Sequence, residues 1–258
     1  MSAWIFLRGL TRESRHWGNL PALWTSRGLG QPLLIDLPGN GTAHDATVPA
    51  SVDGMMEAVR AAARASGVPG PWRVLAMSLG AMVATRWVQA WPDDVAGLVL
   101  INTSMRPFSA ITERLQPLNW PALLGMAHHW QDRVRCERTV HRLTCERLDT
   151  RDADIAGWVE IAQSAPVSRK AAWLQLLAAA RFRAMTAAPA CPTLILSSDA
   201  DRLVNPACSA HLAAAWRSDG VSLIRHPWAG HDLPHDDPRW LCDTVAAWKQ
   251  DKKIPPDG

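Results

Sequence analysis

Three short segments of this chain carry residues that could perform nucleophilic catalysis together. Ala76-Met77-Ser78-Leu79-Gly80 joins an apolar run, Arg73 to Met77, to an apolar helix-like run that starts at Leu79. A Ser on a sharp strand-to-helix turn projects its hydroxyl clear of the sheet, and the turn crowds the residues two before and two after it, so both must be small. Ala76 and Gly80 meet that demand. The Leu79 amide, at the start of the helix, would point toward the oxyanion formed when Ser78 attacks a carbonyl. A Ser hydroxyl is a weak nucleophile and needs a base, which an acid must orient. Ser198-Asp199-Ala200-Asp201 and Ala229-Gly230-His231-Asp232 offer both.

These segments work together only if the elements before them end on one edge. Short apolar runs alternate with helix-like stretches, the pattern of a parallel sheet covered on both faces. Six strands are predicted: Trp4 to Leu7, Pro32 to Leu37, Arg73 to Met77, Gly97 to Asn102, Thr193 to Ser197 and Ser222 to His226. Crossover helices are predicted over Ser51 to Ala65, with Ser51 as N-cap, and over Leu79 to Trp91, stopped by Pro92. Strand-end loops of a parallel sheet emerge on the same edge, so the Ser, Asp and His can converge. His231 follows the last strand directly and neighbours Gly230, whereas His226 lies within that strand and His235 four residues beyond, both read as structural. Asp199 and Asp201 sit in one loop, and either could reach an imidazole.

From Arg106 to Arg183 the alternation fails, and the segment reads as several helices with caps at Asn119, Asp152 and Ser168 and no convincing strand. A helical block between two strands of one sheet is expected to form a lid over the strands' carboxyl ends, where open α/β sheets bind ligands. That divides the chain into a core, 1–104 and 185–258, and an inserted lid, 105–184. Lys249 to Gly258 is expected to be a loose tail.

The order Ser, Asp, His, together with Asp36-Leu37-Pro38-Gly39-Asn40-Gly41, resembles the α/β-hydrolase family over nearly the whole chain. Within it the likeness is to small lidded carboxylesterases, the group that includes pimeloyl-carrier-protein methyl ester esterases. The resemblance implies an α/β-hydrolase fold and a triad of Ser78, Asp201 and His231. It also implies oxyanion amides from Leu79 and Leu10, with Asp199 left as a turn residue holding the loop through backbone amides. Three departures stand out. Ala76 replaces the usual first Gly of the Ser motif, Arg8-Gly9 replaces the usual His-Gly, and the family's first two antiparallel strands have no counterpart, so six parallel strands are expected.

Composition bounds the rest. The 258 residues, 48% hydrophobic and 20% charged, suit one core with an insertion. A net charge of +3 without any Lys/Arg block gives no support for nucleic-acid binding. No signal peptide and no run long enough to cross a membrane is read, so a cytoplasmic protein is expected. Five scattered cysteines without a Cys-x-x-Cys pair suggest buried free thiols rather than a disulfide framework or zinc site. Fourteen Trp against no Tyr has no evident physical cause. In 106–183 twelve basic side chains face eight acidic ones. Arg8 reads equally as a solvated strand-end charge or as a cation near an anionic substrate group, and Trp120, Trp130, Trp158 and Trp173 as lid packing with some lining an acyl pocket.

The expected activity is ester hydrolysis through an acyl-enzyme, on a small-molecule ester that an acidic carrier could present, without metal or organic cofactor. A C–C hydrolase, an acyltransferase or a non-catalytic ligand-binding member of the fold remain alternatives. Dehalogenase chemistry is disfavoured, because it would need an Asp at position 78.

Overall fold

The computed structural model describes residues 3–251. Six strands, β1 (Trp4–Leu7), β2 (Leu33–Ile35), β3 (Trp72–Met77), β4 (Val95–Ile101), β5 (Thr193–Ser198) and β6 (Val221–His226), form one parallel sheet in the order β2-β1-β3-β4-β5-β6. This is the expected sheet. The predicted second strand is longer than the observed one, because Asp36 leaves the ladder to bind the loops beside it. The predicted fourth strand ends one residue late, because Asn102 turns out at φ 45°.

Successive side chains of a strand point to opposite faces, and the strands are apolar on both. Ile5, Leu7, Val74, Leu98, Leu100 and Ile195 pack with helices α2 (Val52–Ala65) and α3 (Leu79–Ala90). Trp4, Phe6, Leu75, Val99, Ile101 and Leu194 pack with α1 (Leu20–Ser26) and the C-terminal helix. Part of the Trp content is explained by this second face. Trp24 meets both Trp4 and Phe6 edge to face at 4.9 Å, an arrangement that the ring quadrupoles favour.

Between β4 and β5 run α4 (Ile111–Arg114), α5 (Trp120–His128), α6 (Arg133–Thr144), α7 (Arg151–Ser164) and α8 (Arg169–Arg181). Ser51 and Ser168 cap α2 and α8 as expected, accepting from the amides of Gly54 and Ala171. Asn119 makes no capping bond, and Asp152 lies inside the first turn of α7 rather than at its cap. Beyond β5 come α9 (Ala207–Ala215), α10 (Leu233–Asp236) and α11 (Pro238–Asp251). The expected loose tail is therefore helical at Lys249 to Asp251, and its remainder lies outside the described residues.

β1 lies between β2 and β3, so the chain reverses direction across the sheet at β1. The carboxyl ends of β1 and β3 diverge there and open a crevice, the usual ligand position in such sheets.

Candidate active site

Ser78 stands at that switch point, between the last residue of β3 and the first of α3. Its backbone, at φ 53° and ψ −117°, occupies a region that L side chains rarely adopt. Two anchors hold the turn: the Ser78 amide donates to Ile101 O at 3.0 Å, and Ser78 O accepts from Thr103 Oγ1 at 3.0 Å. A Cβ added to Gly80 would lie 2.4 Å from Arg8 O, and one added to Gly9 3.1 Å from Ser78 Cβ. Gly80, one of the two small residues predicted around Ser78, is thus required by the passage of the segment after β1 across the turn.

His231 and Asp201 meet as a buried pair, with Nδ1 2.7 Å from Oδ2. The other oxygen of Asp201 accepts the amides of Leu203 and Val204, both at 2.9 Å. One carboxylate therefore orients the imidazole and folds its own loop. Asp199 is exposed and its carboxylate is paired with Arg225 at 2.7 Å rather than with His231, while its amide donates to His226 O at 2.9 Å. His226 is structural as predicted: its Nδ1 accepts the Ala229 amide at 2.9 Å and sets the turn before Gly230.

Arg8 has neither expected role. It is buried and grips Asp232 with both guanidinium nitrogens, at 3.0 and 2.6 Å, while stacking over Trp17 at 4.8 Å. Burial alone would raise the Asp232 carboxyl, but the charge of Arg8 and its two hydrogen bonds outweigh that and hold it at about 2. The two residues after Gly230 thus point to different partners, His231 to Asp201 and Asp232 to Arg8. A Cβ on Gly230 itself would meet Thr144 O at 2.6 Å, because the end of α6 presses on this loop.

Several positioning residues carried no local signal in the sequence. Asn102 donates to Ser198 Oγ at 2.9 Å and to His231 O at 2.8 Å, tying three strand-end loops together. Gln175 of α8, fully buried, accepts the Thr11 amide at 2.9 Å and donates to Asn40 Oδ1 at 2.8 Å. It thereby joins the inserted helices to the loop bearing Leu10. Asp36 accepts from Ser14 and Thr42, which accounts for the first residue of the Asp-Leu-Pro-Gly-Asn-Gly segment. A Cβ on Gly41 would overlap that carboxylate.

Ser78, Leu10 and His231 line one cavity of about 110 Å³. Ser78, Leu10 and Leu79 also line a second of about 430 Å³, whose walls are Met82, Leu123, Met126, Trp130, Trp173 and Leu176 among other apolar residues. The first brings a hydroxyl and an imidazole to one space, and the second offers apolar contact beside the same hydroxyl.

A Ser at such a turn in a parallel sheet, with a buried His–Asp pair from later strand ends, defines an α/β-hydrolase. Residues 6–238 match the hydrolase family described as serine aminopeptidase, S33, and the chain belongs to it. It is 29% identical over 259 residues to the protein called "Putative carbamate hydrolase RutD" of Klebsiella pneumoniae (strain 342), covering 90% of this chain and 93% of the relative. Two solved structures share the fold. An esterase of Exiguobacterium antarcticum superposes with a TM-score of 0.75 at 14% identity, covering 97% of this chain and 92% of that one. A thermophilic esterase of Thermogutta terrifontis gives 0.70 at 18%, covering 97% and 90%. The chain is a hydrolase, and no helix among its described residues is long and apolar enough to cross a membrane. All five cysteines are buried and unpaired, as expected.

Proposed function

We propose that this hydrolase cleaves a carboxylic ester bearing an apolar acyl group, through an acyl-enzyme on Ser78. Ser78 Oγ attacks the carbonyl while His231 Nε2 takes its proton, and Asp201 stabilises the imidazolium from Nδ1. The developing oxyanion receives the amides of Leu79 and Leu10. Collapse expels the alcohol, protonated by His231. Water then enters with His231 as base and releases the acid. The helices of 105–184 act as the lid, and the cavity walled by Met82, Met126, Trp130 and Trp173 holds the acyl chain.

The observation that carries this reading is the strained backbone at Ser78, facing the same cavity as a His already oriented by a buried Asp. Such strain persists where the surrounding structure enforces it, and it is characteristic of functional positions. The carbamate chemistry named for the Klebsiella relatives is a competing reading. The apolar walls of the larger cavity favour an acyl chain over a small polar carbamate. An anionic carrier handle loses one of its two supports, since Arg8 is committed to Asp232. Only the basic excess of 106–183 still favours it.

The test combines a fluorophosphonate probe with p-nitrophenyl esters of increasing acyl length. The expected result is labelling mapped to Ser78 and lost in Ser78→Ala, with kcat/KM rising from acetyl to medium-length chains. Labelling of another Ser would overturn the nucleophile, and a maximum at acetyl or on carbamates would overturn the substrate class.

A further inference from the structure

About the last turn of α6, a second cluster has no part in that chemistry. His141 and Cys145 lie four residues apart, so the end of the helix presents them on one face. The short helix α10 brings His235 to them, and ligating atoms of all three residues lie within 4.8 Å of one another. Asp154 of α7 lies beside the two imidazoles, its Oδ2 3.2 Å from His235 Nε2 and 3.8 Å from His141 Nε2.

Two features distinguish the cluster from ordinary packing. His141 is 1% exposed, yet neither of its ring nitrogens has a hydrogen-bond partner among the described residues, and neither has His235 Nε2. Buried polar groups are normally hydrogen-bonded, whereas here the two Nε2 atoms have only the Asp154 carboxylate nearby, outside hydrogen-bond geometry, and His141 Nδ1 has no hydrogen-bond partner among the described residues. Trp158 packs against both rings, at 5.5 and 5.3 Å, and gives the cluster an apolar wall. His141 and Cys145 also line a cavity of about 620 Å³, together with Arg138, Arg142, Arg151 and Arg202.

We propose that His141, Cys145 and His235, with Asp154 as fourth ligand, bind a divalent transition metal of the zinc class. Two imidazoles, a thiolate and a carboxylate are the donors such an ion takes, and tetrahedral ligands at their usual bond lengths stand roughly 3.5 Å apart. Closure of the His141, Cys145 and His235 atoms by about an ångström brings those three there, and Asp154 already stands within 4 Å of both imidazoles. As the sulfur–metal bond forms, the Cys145 thiol releases its proton to solvent. One dication then balances one thiolate and one carboxylate, so the buried site carries no net charge. The metal would join α6 and α7 to α10, four residues after His231. It would thus clamp the inserted helices to the loop that carries the imidazole, as a structural site separate from the reacting atoms.

The experiment is to strip the full-length protein with a chelator and titrate it with Zn²⁺ and with Co²⁺. One equivalent is expected per chain. Zn²⁺ should raise the melting temperature by mass action, and Co²⁺ should give a thiolate-to-cobalt charge-transfer band in the near ultraviolet. Cys145→Ala should abolish that band, and His141→Ala and His235→Ala should each weaken binding at least about tenfold. Failure to bind one equivalent, or an intact band in Cys145→Ala, would overturn the site. If the Cys145 variant does not fold, the two His variants decide in its place: unchanged affinity in both overturns the proposal. None of these readouts depends on hydrolytic activity, so the outcome is independent of the ester reading.

Discussion

The carboxyl edge of the sheet and the helices of 105–184 meet at the same cavities with opposite chemistry. At the sheet edge the functional groups are polar, buried and individually anchored: Asp201 by two amides, the His231 loop by Asn102, the Ser78 turn by Ile101 and Thr103. The helices contribute apolar side chains that remain partly open, with Trp173 at 62% and Leu176 at 38% exposure. They reach the core through a few polar joints such as Gln175 with Asn40, Glu137 with Arg12, and the Thr144 carbonyl with the Asp232 amide. Groups that are to react need a scaffold that fixes them to fractions of an ångström, while an apolar wall needs only shape. A mutation at the edge should therefore act on rate or folding, and one on the helices on selectivity.

The largest effect should fall on the two aspartates of one loop. Asp201→Asn is expected to lower kcat by about 10⁴, the loss typical when a triad carboxylate becomes an amide, whereas Asp199→Asn should stay close to wild type. Steady-state kinetics on folded variants checks this, and a larger loss from Asp199→Asn would undo the asymmetry.

Next comes the buried ion pair. Arg8→Met leaves Asp232 charged and unpartnered, and should cost about 3–5 kcal/mol in denaturant unfolding. Replacing both partners, Arg8→Met with Asp232→Leu, should recover most of that loss. If the double variant is no more stable than the single one, the pair is not the source of the loss.

The same pair predicts an acid limb. Asp232 has its folded pKa depressed from 3.8 to about 2, so its stabilisation is fully present above pH 4 and is lost as pH falls through the folded value. The contribution is about 2 kcal/mol. Unfolding measured between pH 5 and pH 2 should be less steep in pH for the double variant than for wild type. Identical slopes would contradict the assignment.

The smallest effect belongs to the helices. Trp173→Ala should lower kcat/KM for medium-chain esters by about tenfold, consistent with the loss of partial apolar contact, and leave acetyl esters and the melting temperature nearly unchanged. An equal loss on every ester would move Trp173 from binding wall to scaffold.

Features that depend on neighbours along the chain were legible in the residues alone. The Ser78 turn was legible because its steric demand falls on positions two residues away. The six strands and their parallel direction were legible because continuous apolar runs alternate with helices, and the core-forming strands bury both faces. His231 was singled out by its place after the last strand. Partners distant in sequence were settled by the fold. Two aspartates in one loop have the same local chemistry, and the fold alone turns Asp201 inward and leaves Asp199 to Arg225. Arg8 and Asp232 are 224 residues apart, and no periodicity could reveal that each would neutralise the other. Gln175 and Asn102 act through hydrogen bonds between loops that the sheet topology brings together. The cysteine spacing gave no sign of a metal site, yet packing α6 and α7 against α10 gathers His141, Cys145, Asp154 and His235 into one cluster. Steric and periodic rules act over a few residues, whereas the pairing of charges and ligands is set by which chain ends the sheet places side by side.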